Sequence, residues 1–176
     1  MGGKAILLYS LLCGSEITGI VALDASPSKY QHNHQRVFDA MKQVDFTHAH
    51  NKYDVAKQLR QNGITDASEI AFVLGNLNES EWKWKCNLNV IAENEHKIHG
   101  FPNTKYMSVY ERHALFVGGT ENTDRLTNEK YVEDLKHYFP NHRLALLNGG
   151  HFIHRTHLHE VKGEMVQYFQ TVLSDT

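Results

Sequence analysis

Three short apolar runs, residues 17–23, 114–117 and 144–147, constrain this chain more than anything else in it. The first, ITGIVAL, is β-branched and apolar on both faces, the pattern of a strand buried in a parallel sheet rather than one with a wetted side. The other two, ALFV and LALL, are apolar throughout. Each run stops at residues suited to turns or to chemistry. Asp24 closes the first and Pro27 breaks the chain after it. Gly118-Gly119-Thr120-Glu121 follows the second, and Asn148-Gly149-Gly150-His151 follows the third.

Helical periodicity separates these runs. Residues 4–13 are rich in Ala and Leu and meet a glycine stop at Gly14. Residues 127–139 place Tyr131, Leu135 and Tyr138 on one face, and Pro140 ends them. Leu158, Val161, Met165, Phe169 and Val172 give the last helix its apolar stripe. Residues 28–105 differ in character: polar, rich in His and Asn, and mostly helical in period. There Val37, Phe38, Met41 and Val44 form one stripe, Val55 and Leu59 a second, and Asp66 to Glu69 has capping-box spacing ahead of Ile70, Val73, Leu74 and Leu77. The expected fold class is α/β, three parallel strands with flanking helices, interrupted by a helical insertion.

Composition narrows the function. The 176 residues suit one domain, with 41% apolar and 22% charged residues. A formal net charge of −2 supplies no basic field for nucleic acid. The longest apolar stretch, residues 5–13, is too short to be a transmembrane segment. Cys13 and Cys86 make neither a disulfide framework nor a CxxC pair. Met1-Gly2-Gly3-Lys4 is a weak start for a secretory signal, and Ile6 stands where a myristoylation motif wants Ser or Thr. There are 13 histidines. The pairs His32/His34 and His48/His50, and the run His151, His154, His157 and His159, do not have the spacing of converging ligands. No metal and no cofactor is expected.

Ligands of open parallel sheets gather at the carboxyl ends of the strands. A carboxylate and an imidazole at neighbouring strand ends can hydrogen-bond, leaving the other ring nitrogen as a general base. His151 is the candidate base. Asp24 is the candidate acid, its alternative reading being a turn or helix cap before Pro27. None of the serines sits in a Gly-x-Ser-x-Gly elbow.

Several segments, in order, resemble a known family. Met1-Gly2-Gly3-Lys4 is similar to the end of an elbow written G-H-S-M-G-G-K. L-D-A-S-P at 23–27, W-K-W-K-C-N-L at 82–88, F-V-G-G at 116–119, F-P at 139–140 and N-G-G-H-F-I-H at 148–154 follow at matching spacing. The chain thus resembles the part C-terminal to the nucleophilic serine in the abhydrolase domain-containing protein 11-like serine ester hydrolases, which have the α/β-hydrolase fold. The resemblance implies hydrolysis of a small-molecule acyl ester by Ser-His-Asp. It carries His151 over as base, with Asp24 as acid and Asp124, after the Gly118-Gly119 strand, as the alternative. Some members keep an aspartate after the asparagine–leucine pair, where this chain has Asn89. Met1 falls at the oxyanion-hole position and Gly2 and Gly3 are the elbow glycines. Residues 28–105 would be the lid over the acyl pocket, with Phe38, Met41, Phe72 and Trp84 as candidate lining. Location would be mitochondrial or cytoplasmic. Without its serine the chain is expected to be inactive by itself, a truncated, non-catalytic product binding acyl ligands or a partner. The apolar strand 17–23 would be an exposed edge open to association.

Overall fold

The computed structural model describes residues 1–30, 34–102, 108–121 and 124–175. Its helices and strands are, in chain order, α1 (Gly2–Leu12), β1 (Gly19–Leu23), α2 (Gln35–Lys42), α3 (Lys52–Gln61), α4 (Ala67–Leu74), β2 (Leu77–Asn78), β3 (Lys83–Trp84), α5 (Leu88–Glu93), α6 (Glu95–His99), β4 (His113–Gly119), α7 (Glu129–Tyr138), β5 (His142–Leu147), α8 (Ile153–Thr156) and α9 (Leu158–Ser174). Short 3₁₀ turns lie at Gly14–Glu16 and Phe46–His48. The chain divides into two compact units, Met1–Tyr30 with Gly100–Thr176, and Gln31–His99. His32 and Lys105, named in the sequence reading, lie outside the described residues.

The first unit is built on a parallel sheet of order β1-β4-β5. β4 is central, and from Ala114 onward every residue of it is buried. Its side chains alternate between two cores, as the pleat requires. Ala114 and Phe116 pack with Leu7 and Leu11 of α1, Ala22 of β1 and Leu135 of α7. Leu115 and Val117 pack with Val161, Tyr168 and Val172 of α9. Helices on both faces are why the three runs read as apolar on both sides. The register sets Leu23 beside Val117 and Gly119 beside Leu147, so the carboxyl ends of all three strands lie together. β1 and β5 are the two edges of this sheet.

The stripe read for the last helix shifts. Val161, Tyr168 and Val172 are its buried residues, whereas Leu158 and Phe169 are exposed. The reason is Tyr168, whose hydroxyl donates to the His113 carbonyl at 2.9 Å and turns that face toward the sheet. Gly19 makes room for it, because a Cβ there would lie 2.3 Å from the Tyr168 hydroxyl.

The second unit has its own core, with Val37, Ala40 and Met41 of α2, Val55 and Leu59 of α3, Ile70 and Val73 of α4, and Leu88 of α5 among its buried residues. Some of its helix starts carry side-chain caps, Asp66 being the one the sequence suggests. Asn51 accepts from the Tyr53 and Asp54 amides, and Asp66 accepts from the Glu69 amide. The strand β3 containing Trp84 pairs antiparallel with β2, and the Trp84 indole donates to the Met41 carbonyl at 3.0 Å. Residues 87–99 hold two helices, α5 and α6, parted at Asn94. Phe72, a candidate lining residue, is 55% exposed.

Candidate active site

The strand tips bring Asp24 and His151 into contact. Asp24 sits one residue past β1 with φ 47°, a left-handed conformation that Asp tolerates better than most residues. Its amide donates to the Val117 carbonyl at 2.7 Å, which anchors it to β4. Its side chain is 1% exposed. His151 follows β5 through Asn148-Gly149-Gly150, and its side chain remains 45% exposed. The two meet at 2.6 Å between His151 Nδ1 and Asp24 Oδ2. An ionised carboxylate only accepts, so Nδ1 carries the hydrogen and the Nε2 lone pair faces outward.

The glycines at these tips are there for space. A Cβ on Gly119 would lie 2.0 Å from the Gly149 oxygen and 2.7 Å from the Gly150 oxygen. A Cβ on Gly118 would lie 2.6 Å from Leu126 and 3.3 Å from Asp24 Oδ1. Only bare backbone lets the β4 tip, Asp24 and the His151 loop close up this far.

Arg125 completes the cluster, and sequence reasoning missed it because no spacing or motif marks it. Its Nη1 lies 3.4 Å from Asp24 Oδ2, 2.9 Å from His151 Nε2 and 2.5 Å from Nδ1. The guanidinium lies against the imidazole ring, close to both ring nitrogens rather than on the Nε2 lone pair. The group facing the would-be base is thus a cation. Its guanidinium also stacks on Tyr30, 5.2 Å from the ring centroid. Tyr30 is fixed in turn by the Ser26 amide, which donates to its hydroxyl at 2.8 Å.

The remaining candidates fall as follows. Asp124 is exposed, and its carboxylate accepts from the Asn128 side chain at 3.4 Å. Asp24, not Asp124, is therefore the carboxylate against His151. Asn89 lies exposed on α5 in the second unit. Gly2 and Gly3 open α1, and a Cβ on Gly3 would come within 2.6 Å of the Ala25 Cβ, so the start of α1 lies against the β1 tip. Burial, then the charges of Arg125 and Lys4, hold the Met1 amine below its usual range. Lys4 is buried; its ammonium donates to the Ser28 carbonyl at 2.8 Å and lies over the Tyr30 ring. Burial, and next the charge of Arg125, bring its pKa down to about 8.

No serine hydroxyl stands at Nε2 among the described hydrogen bonds. Ser28 donates to Asp134 and Ser10 to the Leu7 carbonyl. Ser26, though two residues from Asp24, is fully buried. Of the histidines weighed as metal pairs, His48 bonds Asp45 and His157 bonds Thr156.

Comparison with known proteins agrees with this architecture. No family model matches the chain. It is 28% identical over 156 residues to Esterase YbfF of Escherichia coli, a match covering 88% of this chain and 58% of that protein. It is 26% identical over 182 residues to the sn-1-specific diacylglycerol lipase ABHD11 of Xenopus tropicalis, covering 97% and 55%. Abhydrolase domain-containing protein C22H12.03 of Schizosaccharomyces pombe is 24% identical, with 88% and 58% covered. The chain thus spans little more than half the length of these relatives. Among solved structures, a marine microorganism esterase superposes with a TM-score of 0.82 at 22% identity, over 94% of this chain and 66% of that one. The non-heme bromoperoxidase BpoC of Mycobacterium tuberculosis follows with 0.53 at 13% identity, over 97% and 64%.

Proposed function

We propose that this chain, part of an α/β-hydrolase fold and a member of that family, carries the base and the acid of a serine ester hydrolase. His151 is the general base and Asp24 the residue that orients it. The observation that carries the reading is the 2.6 Å bond from His151 Nδ1 to a nearly inaccessible carboxylate at the tips of β1 and β5. It fixes the tautomer and aims Nε2 outward. Relatives named esterase and lipase support acyl esters as the substrate class.

In this reading a serine hydroxyl from outside these 176 residues lies at Nε2. His151 takes its proton as the oxygen attacks the ester carbonyl, and Asp24 stabilises the imidazolium that forms. The imidazolium then protonates the departing alcohol. Water, deprotonated by the same Nε2, releases the acid from the acyl-enzyme. Met1, just ahead of α1, is read as the residue whose backbone N–H would meet the oxyanion within a longer polypeptide. Arg125 now lies against the His151 ring, 2.9 Å from Nε2, and in this reading shifts aside for the serine hydroxyl. The unit Gln31–His99, inserted in sequence between β1 and β4, is read as the cap, and the 176 residues by themselves as catalytically silent.

The test joins a Gly-x-Ser segment in frame ahead of Met1 and treats the product with a fluorophosphonate probe. The grafted serine is expected to label, and His151→Ala to slow labelling by about 10²- to 10⁴-fold, the usual worth of a positioned base. Equal labelling with and without His151 would exclude it as the base.

A further inference from the structure

We propose that the second unit carries a binding site for a zinc-class divalent ion, formed by His34, Glu95 and His99. The site is independent of the ester-hydrolase reading and uses none of its residues. His34 caps the start of α2, while Glu95 and His99 share one face of α6 at i and i+4. Three ligand atoms converge there. His34 Nδ1 lies 3.1 Å from Glu95 Oε1 and 3.0 Å from His99 Nε2, and His99 Nε2 lies 3.6 Å from Glu95 Oε1.

These separations are those of neighbouring ligands around a single small ion. A point about 2.05 Å from all three atoms, the usual zinc–nitrogen and zinc–oxygen distance, lies about 0.8 Å out of their plane. A regular tetrahedron places the metal about 0.7 Å out of the plane of three ligands, so the three separations match those of a four-coordinate ion's ligands. Two imidazoles and one carboxylate suit zinc and its transition-metal neighbours. Calcium and magnesium, which want oxygen ligands, fit poorly.

The surroundings favour a built site over a chance meeting of surface groups. The Glu95 side chain is 10% exposed and that of His99 14%, while that of His34 is 42% exposed. The His34 backbone amide also donates to Glu95 Oε1, which holds the carboxylate in place, the role an outer partner has in metal sites. The cluster joins residues 65 apart in sequence, at the two ends of the Gln31–His99 unit. An ion there would pin the start of α2 to α6 and stabilise that unit. The sequence reading missed the site because it weighed closely spaced histidines, whereas these ligands meet only through the fold.

Zn²⁺ titrated into the full chain against a chromophoric chelator tests this. One equivalent is expected to bind, Co²⁺ to give the intense visible absorption of a four-coordinate ion, and Zn²⁺ to raise the melting temperature. Each of His34→Ala, Glu95→Gln and His99→Ala is expected to weaken binding by more than about 100-fold, beyond the cost of losing an outer partner. His48→Ala is expected to leave it unchanged. Glu95→Gln preserves size, and circular dichroism of each variant separates lost ligation from lost fold. A wild-type chain that takes up no stoichiometric zinc overturns the proposal. Wild-type affinity in folded Glu95→Gln and His99→Ala does so equally.

Discussion

Replacing Asp24 by Asn isolates the charge that the candidate site is built around. Asn tolerates the left-handed backbone at this position as Asp does, so no strain enters. Its amide oxygen can still accept from His151 Nδ1. What disappears is the negative charge facing Arg125, whose side chain is 13% exposed against 1% for Asp24. At 3.4 Å and an effective dielectric of about 20, their attraction is about 5 kcal/mol before the cost of desolvating both ions. Removing one partner of a buried pair strands the other, with measured costs of about 3–5 kcal/mol. Stacking on Tyr30 and its residual exposure ease the stranding of Arg125, which places Asp24→Asn near the lower figure, about 3 kcal/mol. Tryptophan fluorescence would miss this, because Trp82 and Trp84 both belong to the Gln31–His99 unit. Amide hydrogen exchange along β4 reads the right unit. A double-mutant cycle with Arg125→Gln is expected to show a coupling above about 1 kcal/mol. A coupling within about 0.5 kcal/mol of zero would mean that the two charges do not sense each other, and the reasoning would fail.

Gly119→Ala is expected to push the Gly149–Gly150 backbone by about 1 Å and destabilise the first unit by about 1–3 kcal/mol, the usual cost of overpacking. It should also break the His151 Nδ1–Asp24 hydrogen bond, read by NMR at the Nδ1 proton; a retained bond at unchanged stability would contradict the close approach. Lys4 predicts a pH dependence. With its pKa lowered to about 8 in the folded protein against 10.5 unfolded, the unfolded chain holds more protons between those values, so stability rises with pH across that window. Tyr168 opposes this higher up: burial raises its pKa to about 12 from 10.0, so its contribution falls above pH 10. Urea unfolding at pH 7.5, 8.5 and 9.5 should therefore show stability rising at each step, with Tyr168 making the rise shallower only above pH 10. Lys4→Met should flatten the rise, and an unaltered rise in that variant would remove Lys4 as its source.

Much of the first unit was legible because burial on both faces of a parallel strand leaves an apolar run that no amphipathic helix shares. The tips were legible for a related reason. Asp24 and His151 are polar residues stopping apolar runs, and strand order alone brings such ends together. Arg125 was not legible, since a loop arginine acquires its role only when folding sets it against a carboxylate from 101 residues earlier. The stripe of α9 was misread by one position because the pattern counted Phe169 and not Tyr168, whose hydroxyl finds a buried carbonyl. His34, Glu95 and His99 belong to the same class as Arg125. Periodicity speaks for neighbours one or two turns apart and is silent on ligands that meet across a whole unit.

Turnover of a short-chain p-nitrophenyl ester by the purified 176-residue polypeptide tests the central claim most directly. The account predicts a rate no greater than that of buffer with free imidazole, unchanged by His151→Ala, and no covalent capture of a fluorophosphonate. Saturable hydrolysis lost on replacing any side chain within the chain would contradict it, because a nucleophile would then be present where Arg125 now faces His151.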